Sequence, residues 1–138
     1  MTASVTKTEG VHHVGLTVPH LGDARTFFLE GLGFEQVGEV PDYPAVFLSD
    51  GTTMITLWQA EDPASAIPFD RRRVIGLHHL ALRVADPTVL ERLHGQLVDR
   101  SDVDIEFAPE SLGGGPIQHM MCRIPGNIRL EFIAPVAA

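Results

Sequence analysis

Residues 11–18, with the sequence Val-His-His-Val-Gly-Leu-Thr-Val, have a near copy in residues 77–84, Leu-His-His-Leu-Ala-Leu-Arg-Val. Each copy is followed by a helix signal, after Gly22 in the first half and after Asp86, a capping residue, in the second. A repeated supersecondary unit determines the architecture of a chain. The duplication therefore predicts two copies of one structural module.

Three extended runs follow the helix in each half. They are residues 34–40, 45–49 and 52–58 in the first half and residues 103–107, 119–124 and 127–133 in the second. Asp50-Gly51 and Pro125-Gly126-Asn127 are typical of hairpin turns between the last two strands. These patterns predict an α+β fold of two tandem βαβββ modules with curled mixed sheets. Residues 1–138 form a single domain in this prediction, with module one at about 10–60, a linker at about 61–75 and module two at about 76–134.

Length and charge limit the possible functions. At 138 residues the chain has material for one hydrophobic core. Its net charge of −8 argues against nucleic acid, because phosphate binding needs a basic surface. No apolar run approaches the ~20 residues that span a bilayer, and the single cysteine, Cys122, has no internal disulfide partner. We expect a cytoplasmic protein that acts on a small molecule, with the run Arg71-Arg72-Arg73 as a solvated part of the linker.

Alternate residues of a strand face opposite sides of the sheet, and this parity separates the histidines. The apolar residues of residues 11–18 occupy the side that packs on the helix, so His13 faces the other, helix-free side. The same parity places His79 and Glu131 on the helix-free face, whereas His12 and His78 share the helix-facing side and are predicted to be structural or partly exposed. A carboxylate in an otherwise apolar strand is costly unless it is paired or binds a cation. An ordinary hydrogen-bonded histidine is the alternative for His13 alone, but the duplication favours a cup-shaped metal site made by all three residues.

The same parity adds candidates beside Glu131. His119 and Met121 fall on the helix-free face of the neighbouring strand. His119 is either a general acid–base group or a histidine at the rim of the pocket. Thr56 occupies the position in the first half that corresponds to Glu131, so the first half supplies no carboxylate. Two histidines and one glutamate leave coordination positions open, which is typical of a catalytic ion.

The remaining pocket candidates have weaker signals. Arg83, Arg123 and Arg129 are candidates to receive a substrate carboxylate, and ion pairing or solvent exposure are the alternatives. The pocket wall is assigned to Trp58, Met54, Val46 and Leu48, for which ordinary core packing is an equal alternative.

With these residues the chain resembles the vicinal oxygen chelate superfamily, which includes glyoxalase I, extradiol dioxygenases, fosfomycin-resistance thiol transferases, methylmalonyl-CoA epimerase and bleomycin-resistance proteins. The resemblance covers about residues 10–134 and rests on the two histidine doublets and on Glu131 in the sequence PGNIRLEF. It implies a divalent metal ion (iron, manganese, zinc or nickel) bound by His13, His79 and Glu131. It also implies a homodimer in which the first half of one chain meets the second half of its partner.

Departures from the family pattern leave the reaction open. Thr56 stands where glyoxalase I has a glutamate, and Gly15 and Met121 stand where the fosfomycin enzymes have threonine and tyrosine. The resemblance implies a metal-dependent dioxygenase or isomerase/lyase whose small substrate chelates the ion through adjacent oxygens. The alternative is a metal-free protein of the bleomycin-resistance type that binds or sequesters a small molecule.

Overall fold

Each half of the chain forms a four-stranded mixed sheet with a helical segment on one face, in a computed structural model that describes residues 4–135. Module one contains β1 (Val14–Val18), α1 (Leu21–Thr26), a π-helical turn (Phe27–Gly31), β2 (Glu35–Val40), β3 (Ala45–Ser49) and β4 (Met54–Gln59). Module two contains β5 (Leu80–Arg83), α2 (Pro87–Leu97), β6 (Asp104–Ser111), β7 (Gln118–Ile124) and β8 (Ile128–Ala134). The predicted α+β fold of two βαβββ modules is confirmed, and neither sheet is closed.

The two sheets have equivalent topology, with strand orders β1-β4-β3-β2 and β5-β8-β7-β6. In each sheet the first strand pairs in parallel with the last, and the other pairs are antiparallel. The register places Gly15 beside Thr56 and Ala81 beside Glu131. The predicted correspondence between Thr56 and Glu131 is therefore correct.

The two helices begin for different reasons. α2 begins as predicted, because the Asp86 carboxylate accepts a hydrogen bond from the Val89 backbone N–H at 2.9 Å. α1 begins at Leu21, before Gly22, and has no side-chain cap at the preceding residue. Its first N–H instead donates to Oε1 of Gln59, at the end of β4, at 2.9 Å. A cap supplied 38 residues away in the chain cannot be identified from the local sequence.

The β7–β8 hairpin also brings the two modules together. Gly126 has φ +92°, and a Cβ atom at this position would lie 2.9 Å from Cδ of Pro19 in module one. Any side chain would therefore meet both backbone strain and a clash. The predicted turn at residues 125–127 is present, and its glycine permits close contact between the modules.

The hydrophobic core lies between the sheets and their helices, and its largest fully buried side chains include Phe27, Phe28 and Phe132. Burial of such side chains is the main favourable term in folding. Val46 and Leu48 belong to this core. The register puts Phe47 beside Thr56, so the neighbours of Phe47 on β3 point to the opposite face of the sheet, toward the core. Core packing was thus the correct alternative for both residues.

The segment between β4 and β5 packs partly against sheet two. Nη1 of Arg71 donates to Oε1 of Glu106 on β6 at 2.7 Å, whereas the Arg73 side chain is 88% exposed. The prediction of a solvated arginine run is therefore wrong for Arg71. Across residues 4–135, the structure contains no helix with the length and hydropathy needed to cross a membrane.

Candidate metal centre

The carboxylate of Glu131 lies between two imidazole rings on the helix-free face of sheet two. Oε2 is 2.6 Å from Nδ1 of His119, and Oε1 is 3.3 Å from Nε2 of His79. The register places Met121 on β7 and Ala81 on β5 directly beside Glu131, which is only 8% exposed. The helix-free face of module two thus brings together a buried carboxylate on β8, one histidine on β7 and a second histidine from the segment before β5.

Contact with Glu131 favours one tautomer of His119. When the carboxylate accepts this hydrogen bond, Nδ1 of the ring donates, and in the neutral imidazole the lone pair is then on Nε2. Nε2 has no hydrogen-bond partner among residues 4–135. The ring packs against Phe107, with 4.8 Å between ring centroids, and its side chain is 13% exposed. The ring therefore faces the site, and its role in acid–base chemistry stays a prediction.

The second histidine doublet precedes β5, which begins at Leu80, so strand alternation does not extend to it. Nδ1 of His78 is 2.8 Å from Nδ1 of His79 and 3.3 Å from Nη1 of Arg129. His78 thus lies on the same side as Glu131, and its predicted helix-facing position is wrong. Partial desolvation and the neighbouring Arg129 guanidinium lower the pKa of His78.

His13 is exposed immediately before β1, and its Nδ1 is 2.8 Å from Nδ1 of His12. Within residues 4–135 it makes no hydrogen bond or ion pair with Glu131 or His79. In that same part of one chain, no three or more histidine, cysteine, aspartate or glutamate side chains have the arrangement of a metal site. Because the third ligand is expected from a second chain, the set His13, His79 and Glu131 stays a prediction.

The residues that do meet are chemically suited to a divalent ion. Two ligand atoms bound to one ion at about 2.0–2.2 Å lie about 2.9–3.5 Å apart for bond angles between 90° and tetrahedral. Nε2 of His79 and Oε1 of Glu131, at 3.3 Å, are within this range. Imidazole nitrogen and carboxylate oxygen suit zinc, iron, manganese and nickel. The pair therefore fits the implied ion.

The helix-free face of module one is aromatic. Nε1 of Trp58 donates to Oγ1 of Thr56 at 2.8 Å, and the Trp58 ring contacts Tyr43 edge-on, with 4.6 Å between centroids. The Phe47 ring lies 6.1 Å from Trp58. A Cβ atom at Gly15 would be 3.0 Å from Oγ1 of Thr56, so glycine leaves room for this pair. Phe47 was missed by the sequence reasoning, although its alternation with Val46 and Leu48 would have revealed it.

An ion cluster lies on the Arg129 side of Glu131. Arg129, 8% exposed, donates from Nη2 to Oε2 of Glu106 at 2.6 Å and from Nε to Oε1 at 3.2 Å. The pKa of Glu106 is below its ordinary value, mainly because Arg129 donates hydrogen bonds to the carboxylate. The register shifts between Ile105 and Phe107, so Glu106 lies in a β-bulge. Strand alternation therefore gave no sign of Glu106.

Arg83 occupies a different position from Glu131. It lies at the end of β5, where it pairs with Ile133, and lines a cavity of about 630 Å³ with Glu30, Arg92 and Arg100. The structure does not bring Arg83 to the carboxylate, and its assignment to a substrate pocket stays a prediction.

Comparison with known proteins agrees with this fold. Residues 10–132 match the family model of the Glyoxalase/Bleomycin resistance protein/Dioxygenase superfamily, and the chain belongs to this superfamily. No curated protein matches the chain significantly.

Solved structures resemble the chain over nearly its whole length. A glyoxylase/bleomycin resistance protein/dioxygenase domain from Frankia sp. EAN1pec is 26% identical, with a TM-score of 0.79, over 93% of this chain and 98% of that one. A candidate glyoxalase from Bacillus halodurans is 29% identical, with a TM-score of 0.74, over 92% and 96% of the two chains. A lactoylglutathione lyase from Agrobacterium tumefaciens shares the fold, with 18% identity and a TM-score of 0.71 over 93% and 95%. The superfamily thus includes enzymes with this fold.

Proposed function

We propose that the chain is a divalent-metal-dependent enzyme of the glyoxalase/dioxygenase type, whose small substrate presents two adjacent oxygens to the ion. The observation that carries this proposal is the Glu131 carboxylate, which is buried on the helix-free face and held between His79 and His119. Membership of a superfamily that contains a lyase of the same fold supports it.

His13, His79 and Glu131 are the residues that would hold the ion. A bound divalent ion supplies Lewis-acid polarisation of substrate oxygens. Thr56, whose hydroxyl accepts a hydrogen bond from Trp58, adds no fourth charged ligand. His79 would bind the ion through the lone pair of Nε2, the nitrogen that faces the carboxylate.

Of the possible reactions, proton transfer of the isomerase or lyase type has the best support. Nδ1 of His119 donates to Glu131, which orients the ring and leaves Nε2 as a base. From Nε2 the ring can accept a proton from a substrate carbon or hydroxyl and return it at a neighbouring atom. A dioxygenase is the other reaction type, and His119 would there serve as a hydrogen-bonding group.

A metal-free binding protein is the second candidate function. Trp58, Phe47 and Tyr43 form an aromatic surface on module one, and such surfaces commonly line small-molecule sites. This surface would serve a sequestering protein as well as an enzyme. Metal uptake by the purified chain separates the two functions.

We also propose that the site is completed in a homodimer. Apolar side chains flank both histidine doublets: Val11 is 84% exposed, Ile75 fully exposed and Leu77 38% exposed. β1 and β5 are edge strands of their sheets. Exposed apolar residues beside an open sheet edge favour burial against a second copy. A two-fold dimer would allow His13 of one chain to approach His79 and Glu131 of the other.

Metal uptake tests the ligand set directly. Protein purified without a histidine tag is stripped with chelator and titrated separately with Zn²⁺, Mn²⁺, Fe²⁺ and Ni²⁺, and bound metal is measured by mass spectrometry. We expect stoichiometric uptake by the wild type and its loss in His79→Ala and Glu131→Gln. His20→Ala, which removes an exposed histidine at the start of α1, is the matched control and should bind normally. Unchanged uptake in His79→Ala would contradict the ligand set.

Mixing two inactive variants tests whether the site is shared. In a dimer formed from His13→Ala and His79→Ala chains, one of the two sites regains all three ligands if they come from different chains. Each variant alone should bind no metal, and the refolded mixture should recover about half of the wild-type uptake in its mixed dimers. No recovery, or a monomer in light scattering, contradicts the shared site. A folded wild type that binds none of the four ions contradicts the enzyme and favours the binding protein.

A further inference from the structure

A basic cavity adjoins the candidate metal centre on the helix-free face of sheet two. Its volume is about 340 Å³, and it is closed on one side by the linker at Phe69. Four arginines and two carboxylates line it: Arg71, Arg72, Arg123, Arg129, Asp70 and Glu106. The cavity is thus locally positive in a chain whose net charge is −8.

The arginines of this cavity differ in how far their charges are already matched. Glu106 accepts hydrogen bonds from both Arg71 and Arg129, so its carboxylate serves two guanidinium groups. Arg123, by contrast, makes no ion pair with any residue in 4–135, and its Nε is buried without a hydrogen-bond partner there. A buried N–H that lacks an acceptor is costly and is rare in native proteins.

The neighbouring acidic residues do not satisfy Arg123. Asp104 is its cross-strand neighbour on β6 and shares a second cavity with it, together with Asp102. Asp102 is instead bound by Arg100, which donates from Nε and Nη2 at 2.9 Å each. Asp104 forms no ion pair within the described part of the chain. No carboxylate of the described residues therefore balances the charge of Arg123.

The position of Arg123 relates it to the candidate metal centre. Arg129 is two residues from Glu131 on the same face of β8, which corresponds to about 7 Å along a strand. Arg123 lies directly across from Arg129 on β7, at a side-chain spacing of about 5 Å. The position of Arg123 in the sheet is thus within about 10 Å of that of Glu131.

We propose that this cavity binds an anionic oxygen group, a carboxylate or a phosphate, and that Arg123 is its principal donor. Arg72, at the edge of the linker, and Arg71 add positive charge around the bound anion. The planar guanidinium presents several N–H donors in one plane, which matches both kinds of anion. The assignment of the anion to a substrate rests on the proposed function: such a substrate would carry an acidic group in addition to its two chelating oxygens.

Anion titration of the metal-free protein tests this cavity independently of the metal. Chelator-treated protein labelled with ¹⁵N is titrated with inorganic phosphate and, separately, with acetate, at constant ionic strength maintained with sodium chloride. We expect a saturable shift of the Arg123 Nε–H resonance, because a bound anion changes the electrostatic environment of this guanidinium. A tighter response to phosphate would assign a phosphate group and a tighter response to acetate a carboxylate, and either supports the cavity.

Two variants, each of which removes one positive charge, complete the experiment. Arg123→Gln should weaken binding of the preferred anion about tenfold or more, because charge-assisted hydrogen bonds are lost. Arg25→Gln removes the same charge from an exposed side chain on α1 that does not line the cavity, so its binding should match the wild type. Equal weakening in both variants, or no saturable shift in the wild type, would overturn the proposal. Normal metal uptake together with absent anion binding would reject the cavity alone.

Discussion

Replacement of Glu106 by glutamine tests the ion cluster that holds Arg129 beside Glu131. Glu106 accepts three hydrogen bonds, from Nη1 of Arg71 at 2.7 Å, Nη2 of Arg129 at 2.6 Å and Nε of Arg129 at 3.2 Å. The Glu106 side chain is 23% exposed and that of Arg129 is 9% exposed. Glutamine has the same shape but no charge, so it leaves a nearly buried guanidinium without its counterion.

The cost of this change follows from the burial of the two partners. Loss of one partner from a fully buried ion pair costs about 3–5 kcal/mol, whereas exposed pairs contribute about 0.2–1 kcal/mol. Arg129 is almost as buried as a member of a fully buried pair, whereas the Glu106 side chain keeps some contact with solvent. We therefore expect a loss of about 2–3 kcal/mol in the free energy of unfolding. With a urea m-value of about 1.5–2 kcal/mol/M, the unfolding midpoint should fall by about 1–2 M.

Urea unfolding monitored by the fluorescence of Trp58, the only tryptophan, measures this loss. All variants are compared at one protein concentration, because a dimer gains stability by mass action. Glu39→Gln on β2 is the control, since Glu39 is exposed and has no ion pair in the described residues. Its free energy of unfolding should stay within about 0.5 kcal/mol of the wild-type value. A Glu106→Gln midpoint equal to that of the control would refute the reasoning.

The same variant has a defined pH dependence. Hydrogen bonds from Arg129 lower the pKa of Glu106 in the fold below its ordinary value of 4.5. A carboxylate whose pKa is lowered by folding contributes stability above its unfolded pKa, and this contribution is lost as the pH falls through the folded pKa. The difference in unfolding free energy between wild type and Glu106→Gln should therefore be full at pH 6–7 and shrink below about pH 4. A difference that is constant from pH 7 to pH 3 would contradict the assigned cause.

Three further predictions concern other parts of the chain. Burial raises the pKa of the Cys122 thiol to about 12, so the native protein should resist iodoacetamide at pH 8 and react only in denaturant; rapid labelling of native protein would disprove this. His119→Ala should keep its metal but lose about 10²–10⁴-fold in turnover once a substrate is found, and near-normal turnover would exclude a catalytic role. Gly15→Ala places Cβ 3.0 Å from Thr56 Oγ1 and 3.3 Å from Trp58 Nε1. It should therefore shift the Trp58 fluorescence emission and lower the free energy of unfolding by about 1–3 kcal/mol. An unchanged spectrum and urea midpoint would count against this packing.

Features that depend on local periodicity could be predicted from the sequence. The duplication of residues 11–18 in residues 77–84 was sufficient for the two-module fold, because each copy is one strand of an identical unit. Strand parity placed Glu131 and His119 on one face, since both lie within regularly paired strands. The correspondence of Thr56 and Glu131 followed from the matched hairpin turns and is reproduced by the register.

Features that depend on irregular backbone or distant contacts could not be predicted in this way. His78 lies outside β5, so parity gave the wrong side, and Glu106 lies in a bulge that interrupts the alternation. The ion pair between Arg71 and Glu106 joins residues 35 positions apart, and no local pattern in the linker indicates it. These residues belong to or border the ion cluster and the basic cavity. That part of the site could therefore be identified only from the structure.

The equivalent faces of the two modules have diverged, and their differences determine how a metal site can form. In module one, the Thr56 hydroxyl accepts the Trp58 N–H and the surface is aromatic, so His13 has no carboxylate from its own module. In module two, Glu131 is already held by His79 and His119, but the third ligand is missing. Under the proposed function neither module can hold the ion alone. His13 completes the set only where assembly brings it to a second module, so loss of the dimer should abolish metal uptake even when all three ligands are intact.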